Sequence, residues 1–394
     1  MKKIIGMALA ASVLAAPVMA DDVKIGVLLG FTGPIESLTP DMASGAELAM
    51  KEASDSGAFM GGSKITAVRG DSTCVDAAAA TATAERLITS DGVKAIMGAD
   101  CSGVTTAVLQ NVAVAKGVVM ISPSATSPAL STVEDNGLFF RTSPSDARQG
   151  QVLAEILKEK NVKSAAISYT NNDYGKGLAD SIQTNFEALG GKVTISAAHE
   201  DGKGDYGAEV AALAQAGGDV LIVAGYLDQG GKGIIQASID AGAFENFVLA
   251  DGMIGESLTK AIGTDLNGAV GTVAGGKTDG AVAYAAMAEK VGIKKDGPYV
   301  GESYDGAALI ALAMQAAGSA DRAKIQANMM KVANAPGVKI GPGELAKGLK
   351  ILADGGDIDY VGATNVEFNP VGEVLGSFKE LEVKGGKFET VMIH

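Results

Sequence analysis

Apolar positions along the chain fall into two alternating patterns. Runs in which nearly every position is apolar, over 23–30, 93–98 and 118–122, predict buried strands, and 64–69 reads as another. Between them apolar residues recur at three- and four-residue spacing over 41–54, 76–88 and 104–115. That spacing predicts helices, with Asp76 placed to cap the second. A second set follows Phe139-Phe140-Arg141-Thr142-Ser143-Pro144: helices over 146–160, 176–189, 206–216 and 232–241, and strands over 164–169, 193–198, 219–224 and 247–250. Repeated strand–helix order covers both faces of each strand, so the expected product is a parallel sheet between helices. Past Gly271 the pattern is helical, over 279–290, 302–317, 322–332 and 343–352. The last segment alternates in the β manner, with strands expected over 373–378 and 380–383 around a turn at Gly385-Gly386.

At 394 residues the chain exceeds one ordinary core, and its two strand–helix sets in series predict two α/β domains. The first two connections between them are expected near 141–144 and 270–275. Fifty-three glycines suit close helix-on-sheet packing and tight turns.

The first twenty residues read differently. Lys2 and Lys3 precede an apolar run over 4–18 that ends at Val18-Met19-Ala20, before Asp21 and Asp22. This is the pattern of a secretory signal peptide over residues 1–20, cleaved after Ala20. The run is short for a bilayer span and is broken at Pro17. The expected compartment is the periplasm, across the cytoplasmic membrane. The formal net charge of −14 disfavours nucleic acid and anionic membranes as partners. Cys74 and Cys101 are the two cysteines. In an exported chain they form one disulfide or remain two buried thiols.

Catalytic chemistry has little support. His199 and His394 are the only histidines, so no Cys/His metal cluster is available, and neither metal nor cofactor is expected. His199 beside Glu200 and Asp201 reads as an exposed or supporting residue. No G-x-S-x-G elbow occurs. Gly271 to Thr278 matches the phosphate-loop pattern G-x-x-x-x-G-K-T. No strand ending in a metal-holding Asp is clearly paired with it, and a Gly-rich crossover is the better reading. The candidate residues lie instead at the C-terminal ends of predicted strands, where open α/β sheets bind ligands. Ser102, Ser124 and Thr126 belong to the first set; Tyr174, Tyr226 and Asp251 belong to the second. Two such edges facing one another make a cleft.

These residues also carry a resemblance. Val23-Lys24-Ile25-Gly26-Val27 with Thr32-Gly33-Pro34, Asp71-Ser72-Thr73-Cys74, Cys101-Ser102, Ile121 to Pro128, Asn172 to Gly177, Gly225-Tyr226 and Asp251-Gly252 occur in an order and spacing that resemble the leucine/isoleucine/valine-binding proteins. Those are the amino-acid receptors of ABC importers. The resemblance implies the type I periplasmic binding protein fold: two doubly wound parallel-sheet domains joined by three crossovers, the third near 361–368. It implies an N-terminal lobe of 21–141 plus 274–362 and a C-terminal lobe of 142–273 plus 363–394. It pairs Cys74 with Cys101. Ser102 and Thr126 would hold a ligand carboxylate, the Ser124 carbonyl and Asp251 its ammonium, and Tyr174 and Tyr226 would close over it.

The implied function is non-enzymatic. A small amino-acid-like solute is bound by hinge closure and passed to membrane permease subunits, and the receptor is expected to be a monomer. Asp251 stands where such receptors commonly carry Glu, and Leu38 lies near where they often carry Tyr, so the preferred side chain is open. A sensing receptor of the same fold, or a receptor for an amide, a urea-type solute or an aromatic acid, is the alternative.

Overall fold

The computed structural model describes residues 22–394; the expected signal sequence and Asp21 lie outside the described residues. The first sheet has five strands, β1 (Val23–Leu29), β2 (Ile65–Asp71), β3 (Ile96–Gly98), β4 (Met120–Ser122) and β5 (Phe139–Arg141). They lie in the order β2-β1-β3-β4-β5 and every pairing is parallel. The second sheet begins with β6 (Ser164–Thr170), β7 (Lys192–His199), β8 (Val220–Ala224), β9 (Phe247–Leu249) and β10 (Val270–Ala274). A small parallel pair follows, β11 (Val338–Ile340) with β12 (Ile358–Tyr360), and then a hairpin, β13 (Phe378–Lys384) and β14 (Lys387–Ile393). The hairpin adds antiparallel to β10, giving the order β14-β13-β10-β9-β8-β6-β7.

Local sequence explains most of the elements. β8 is Val-Leu-Ile-Val-Ala and buried throughout, as a strand covered on both faces requires. Asp76 accepts from the N–H groups of Ala78 and Ala79 and starts the helix Ala77–Thr89. The helix Val300–Ala317 is buried on nearly every side through Gln315, which fits a sequence of small and apolar residues. It lies against the first sheet: a Cβ at Gly306 would meet Ile121 and Met97 side chains at 3.3 and 3.4 Å.

The structure corrects one reading and narrows two others. Residues 373–377 form no strand, and β13 begins only at Phe378. Gly372 and Gly376 have positive φ, which breaks the extended run, and Glu373 is drawn to Arg141. His199 is buried at the end of β7, where Nδ1 bonds Ser168 Oγ at 2.8 Å, so it is not exposed. Gly271, first of the phosphate-loop match, is a strand residue paired with Leu381 and Leu249, so no loop begins there; the last, Thr278, caps the helix Asp279–Lys290.

Candidate functional site

The C-terminal ends of β1, β3 and β4 in one sheet face those of β6, β8 and β9 in the other. Between these edges lies a cavity of about 20 Å³, roughly the space of one water. Ser102, Ser124, Tyr174, Tyr226 and Asp251 line it, together with Ile35, Leu38 and Met42. Five of the six sequence-predicted binding residues thus meet. The sixth, Thr126, is buried behind them. Its Oγ1 has no hydrogen-bond partner among the described residues.

On the first sheet's side, Cys101 and Cys74 are joined by a disulfide that ties the turn after β2 to the turn after β3. Ser102 is the first residue of the helix Ser102–Val108, and its Oγ accepts from the Ser127 N–H at 3.0 Å. Asp100, which the sequence reading did not single out, holds these turns together. Its buried carboxylate accepts from Gly30 N at 2.6 Å, Ser72 Oγ at 2.9 Å and Cys101 N at 3.0 Å. Burial pushes its pKa up, and these donors oppose the shift. Ser124 Oγ donates to Asp100 O at 3.0 Å. Arg141, only 1% exposed, fixes the loop that carries Thr126: it donates to Ala125 O, Ser127 O and Ser131 Oγ and pairs with Glu373.

On the second sheet's side, Tyr174 and Tyr226 stack with ring centroids 5.1 Å apart. Tyr174 Oη donates to Asp251 Oδ1 at 2.7 Å, and Tyr299 Oη donates to Asp251 Oδ2. Burial raises the Asp251 pKa, and the two phenols, Tyr299 first, pull it back. Tyr299 escaped the sequence reading. It precedes a helix of the first sheet's layer with a left-handed φ of 61°, and that turn aims its ring across the cleft. A second missed carboxyl is Asp146, wholly buried, whose N–H donates to Thr126 O at 2.9 Å. Burial raises its pKa strongly, and the neighbouring Asp251 charge adds to the rise. Neither of its carboxyl oxygens has a partner among the described residues.

The site therefore offers hydroxyls at a helix start on one wall and a buried carboxylate gripped by tyrosines on the other. Such a surface complements a small molecule with a negative and a positive end. Residues 22–347 match the sequence model of the family described as periplasmic binding protein. The chain belongs to this family. It is 33% identical over 271 residues to Leu/Ile/Val-binding protein homolog 1 of Brucella suis biovar 1, across 68% of this chain and 71% of that protein. Against the Leu/Ile/Val/Thr-binding protein of Salmonella typhimurium the identity is 30% over 250 residues, across 63% and 67% of the two chains.

Solved structures agree in fold. The leucine binding protein LivK of Thermotoga maritima superposes with a TM-score of 0.77 at 22% identity, covering 94% of this chain and 98% of that one. LivJ of Streptococcus pneumoniae, solved with isoleucine, gives 0.76 at 23% identity over 95% and 99%. A Rhodopseudomonas palustris solute binding protein solved with 4-hydroxybenzoate gives 0.76 at 21% identity over 95% and 97%. The fold is thus the α/β type I periplasmic binding protein fold. Among the described residues no group of His, Cys, Asp and Glu could hold a metal ion, and no helix is long and apolar enough to cross a membrane.

Proposed function

We propose that this protein is the periplasmic solute-binding receptor of an ABC importer and traps a small amino acid, branched-chain or similar, between two lobes. Asp251 carries the proposal. A buried carboxylate held by two phenols, opposite Ser102 at a helix start, suits an ammonium and a carboxylate on one carbon. In this reading Ser102 and Thr126 take the carboxylate, the Ser124 carbonyl and Asp251 take the ammonium, and Tyr174 and Tyr226 cover the ligand. Ile35, Leu38 and Met42 offer apolar surface to its side chain. The lobes are 21–141 plus 274–362 and 142–273 plus 363–394. A cavity of about 20 Å³ admits no amino acid, so the edges must part for entry and close again. Only contacts from both lobes make the closed form the better binder. The receptor, freed of residues 1–20 on export, then presents the closed lobes to the permease as a monomer.

Isothermal titration with leucine, isoleucine and valine, and with an amide, urea and 4-hydroxybenzoate as comparators, tests the reading. Asp251→Asn keeps the size and removes the charge. A charge-assisted bond contributes about 1.5–3 kcal/mol, so affinity for an amino acid is expected to fall roughly ten- to a hundredfold. Tight binding of 4-hydroxybenzoate, with none of the amino acids, would transfer the assignment to the aromatic-acid receptors.

A further inference from the structure

Behind Tyr299 lies a second, larger cavity of about 700 Å³. Tyr299 lines both hollows, and its hydroxyl donates to Asp251 of the cleft. The walls come from both sheets' layers. Val300 and Glu302 belong to the helix packed on the first sheet, while Val273, Lys379 and Phe388 belong to β10, β13 and β14 of the second.

Two opposite charges face this space without meeting. Glu302 is 5% exposed, and its carboxyl accepts no hydrogen bond from another side chain among the described residues. Burial pushes its pKa up to about 7, opposed first by a hydrogen bond from its own backbone N–H and then by the charge of Lys379. Lys379 lies over Gly275, where an added Cβ would stand 2.9 Å from its Cε and 3.2 Å from its Nζ. Yet Lys379 and Glu302 form no ion pair, and among the described residues Lys379 pairs with no other acid. The other charges at the mouth are mostly matched: Lys260 and Lys294 share Glu256 at 2.8 and 3.4 Å. Among the described residues the Glu302 carboxyl is held only by its own backbone N–H, with no cation or side-chain donor beside it, and a buried carboxylate is normally paired with a positive charge. Lys379, on a strand of the other layer, lines the same cavity without pairing with Glu302, so one molecule with two charged ends can meet both.

We propose that this cavity is a second binding site, for a small zwitterion whose anionic end meets Lys379 and whose ammonium meets Glu302. It stands apart from the cleft site and does not depend on what the cleft binds. The ω-amino acids provide the probe, because their charges are separated by a chain. Equilibrium titration of the mature protein with 6-aminohexanoate, hexanoate and hexylamine is compared at a pH where Glu302 is ionised. The zwitterion is expected to bind about tenfold or more tightly than either singly charged analogue. Glu302→Gln is expected to reduce its affinity to that of hexanoate, and Lys379→Met to that of hexylamine. Ser102→Ala, which alters only the cleft, leaves it unchanged. Equal affinity for the three probes, or no binding of any, overturns the proposal. So does loss of binding in Ser102→Ala with retention in both Glu302→Gln and Lys379→Met, since that places the probe in the cleft. Each cavity variant tests one charge, so failure of either to fold leaves the other decisive.

Discussion

Burial acts in opposite senses on His199 and Glu302. Desolvation lowers the His199 pKa from 6.5 to about 4, because the imidazolium is the form that loses water. The same cause raises Glu302 from 4.5 to about 7. For His199 the unfolded chain binds more protons between these values, so its contribution is complete above about pH 6.5 and is lost as pH falls toward 4. For Glu302 the folded chain binds more, and stability falls as pH rises from about 4.5 to 7. Each effect is on the order of 3 kcal/mol at about 1.36 kcal/mol per unit, and over the shared window they oppose one another. We expect His199→Asn to unmask a stability that declines steadily as pH rises through that window. Glu302→Gln is expected to make the decline shallower than in the wild type, because the raised carboxyls of Asp100, Asp146, Asp251 and Asp305 still act in its sense. Urea titrations at several pH values check both; parallel curves for the variants and the wild type would refute the assignment. His199 and Glu302 are plain letters in the sequence. Their titration is set by which neighbours exclude water, and no local pattern carries that.

At the scale of elements, one side chain organises the first connection between the sheets. Arg141 ends β5, and its guanidinium reaches the carbonyls of Ala125 and Ser127, the hydroxyl of Ser131 and the carboxylate of Glu373. Its backbone N–H accompanies this by donating to Gly372 O at 3.0 Å. A late segment of chain is thereby fixed to the loop that bears Thr126. Removing one partner of a buried pair leaves the other uncompensated and costs about 3–5 kcal/mol. Arg141→Met is expected to lose stability of that order in urea unfolding, and to weaken solute binding because the Thr126 loop loses its anchor. A variant of wild-type stability would show that the pair contributes nothing. The network also explains the missing strand at 373–377. Alternation of side chains suggested a sheet, but Glu373 is recruited by a residue 232 positions earlier, a partner no local period reveals.

For the whole molecule, the closed edges are held by a contact outside the cavity. Asp228, after β8, accepts from the Ser37 N–H at 2.9 Å, and its N–H donates to Pro34 O at 3.0 Å. Its other carboxylate oxygen accepts from Ser257 Oγ at 2.6 Å, and Ser257 Oγ lies 3.2 Å from Ser37 Oγ. Pro34 and Ser37 follow β1 of the first sheet, while Asp228 and Ser257 belong to the second sheet's layer. The bonds to Pro34 and Ser37 exist only while the edges touch, so they favour the closed form in proportion to their difference between states. Asp228→Ala is expected to shift the unliganded protein toward a larger radius of gyration in small-angle scattering. Solute affinity is expected to fall about threefold to tenfold, mostly through faster release. An unchanged scattering curve together with unchanged affinity would remove the latch from the mechanism.

The sequence by itself determined most of the helices, the central strands and their order. Strand runs such as Val220–Ala224, the Asp76 cap and the repeated strand–helix alternation depend on contacts a few residues apart, and these are written locally. It also supplied five residues that line the cleft cavity, because the ends of parallel strands converge wherever such sheets form. Tertiary structure alone decided the rest. Tyr299 reaches Asp251 from a helix that the alternation places after both strand sets, through a left-handed turn invisible to hydrophobic period. Asp146 comes to lie behind Thr126, and Asp100 gathers three separate turns. The second cavity exists only because the late hairpin β13–β14 returns to β10 opposite the helix bearing Glu302. Hydrophobic periodicity records which face of an element is buried, whereas the partner it is buried against is fixed by how distant segments pack.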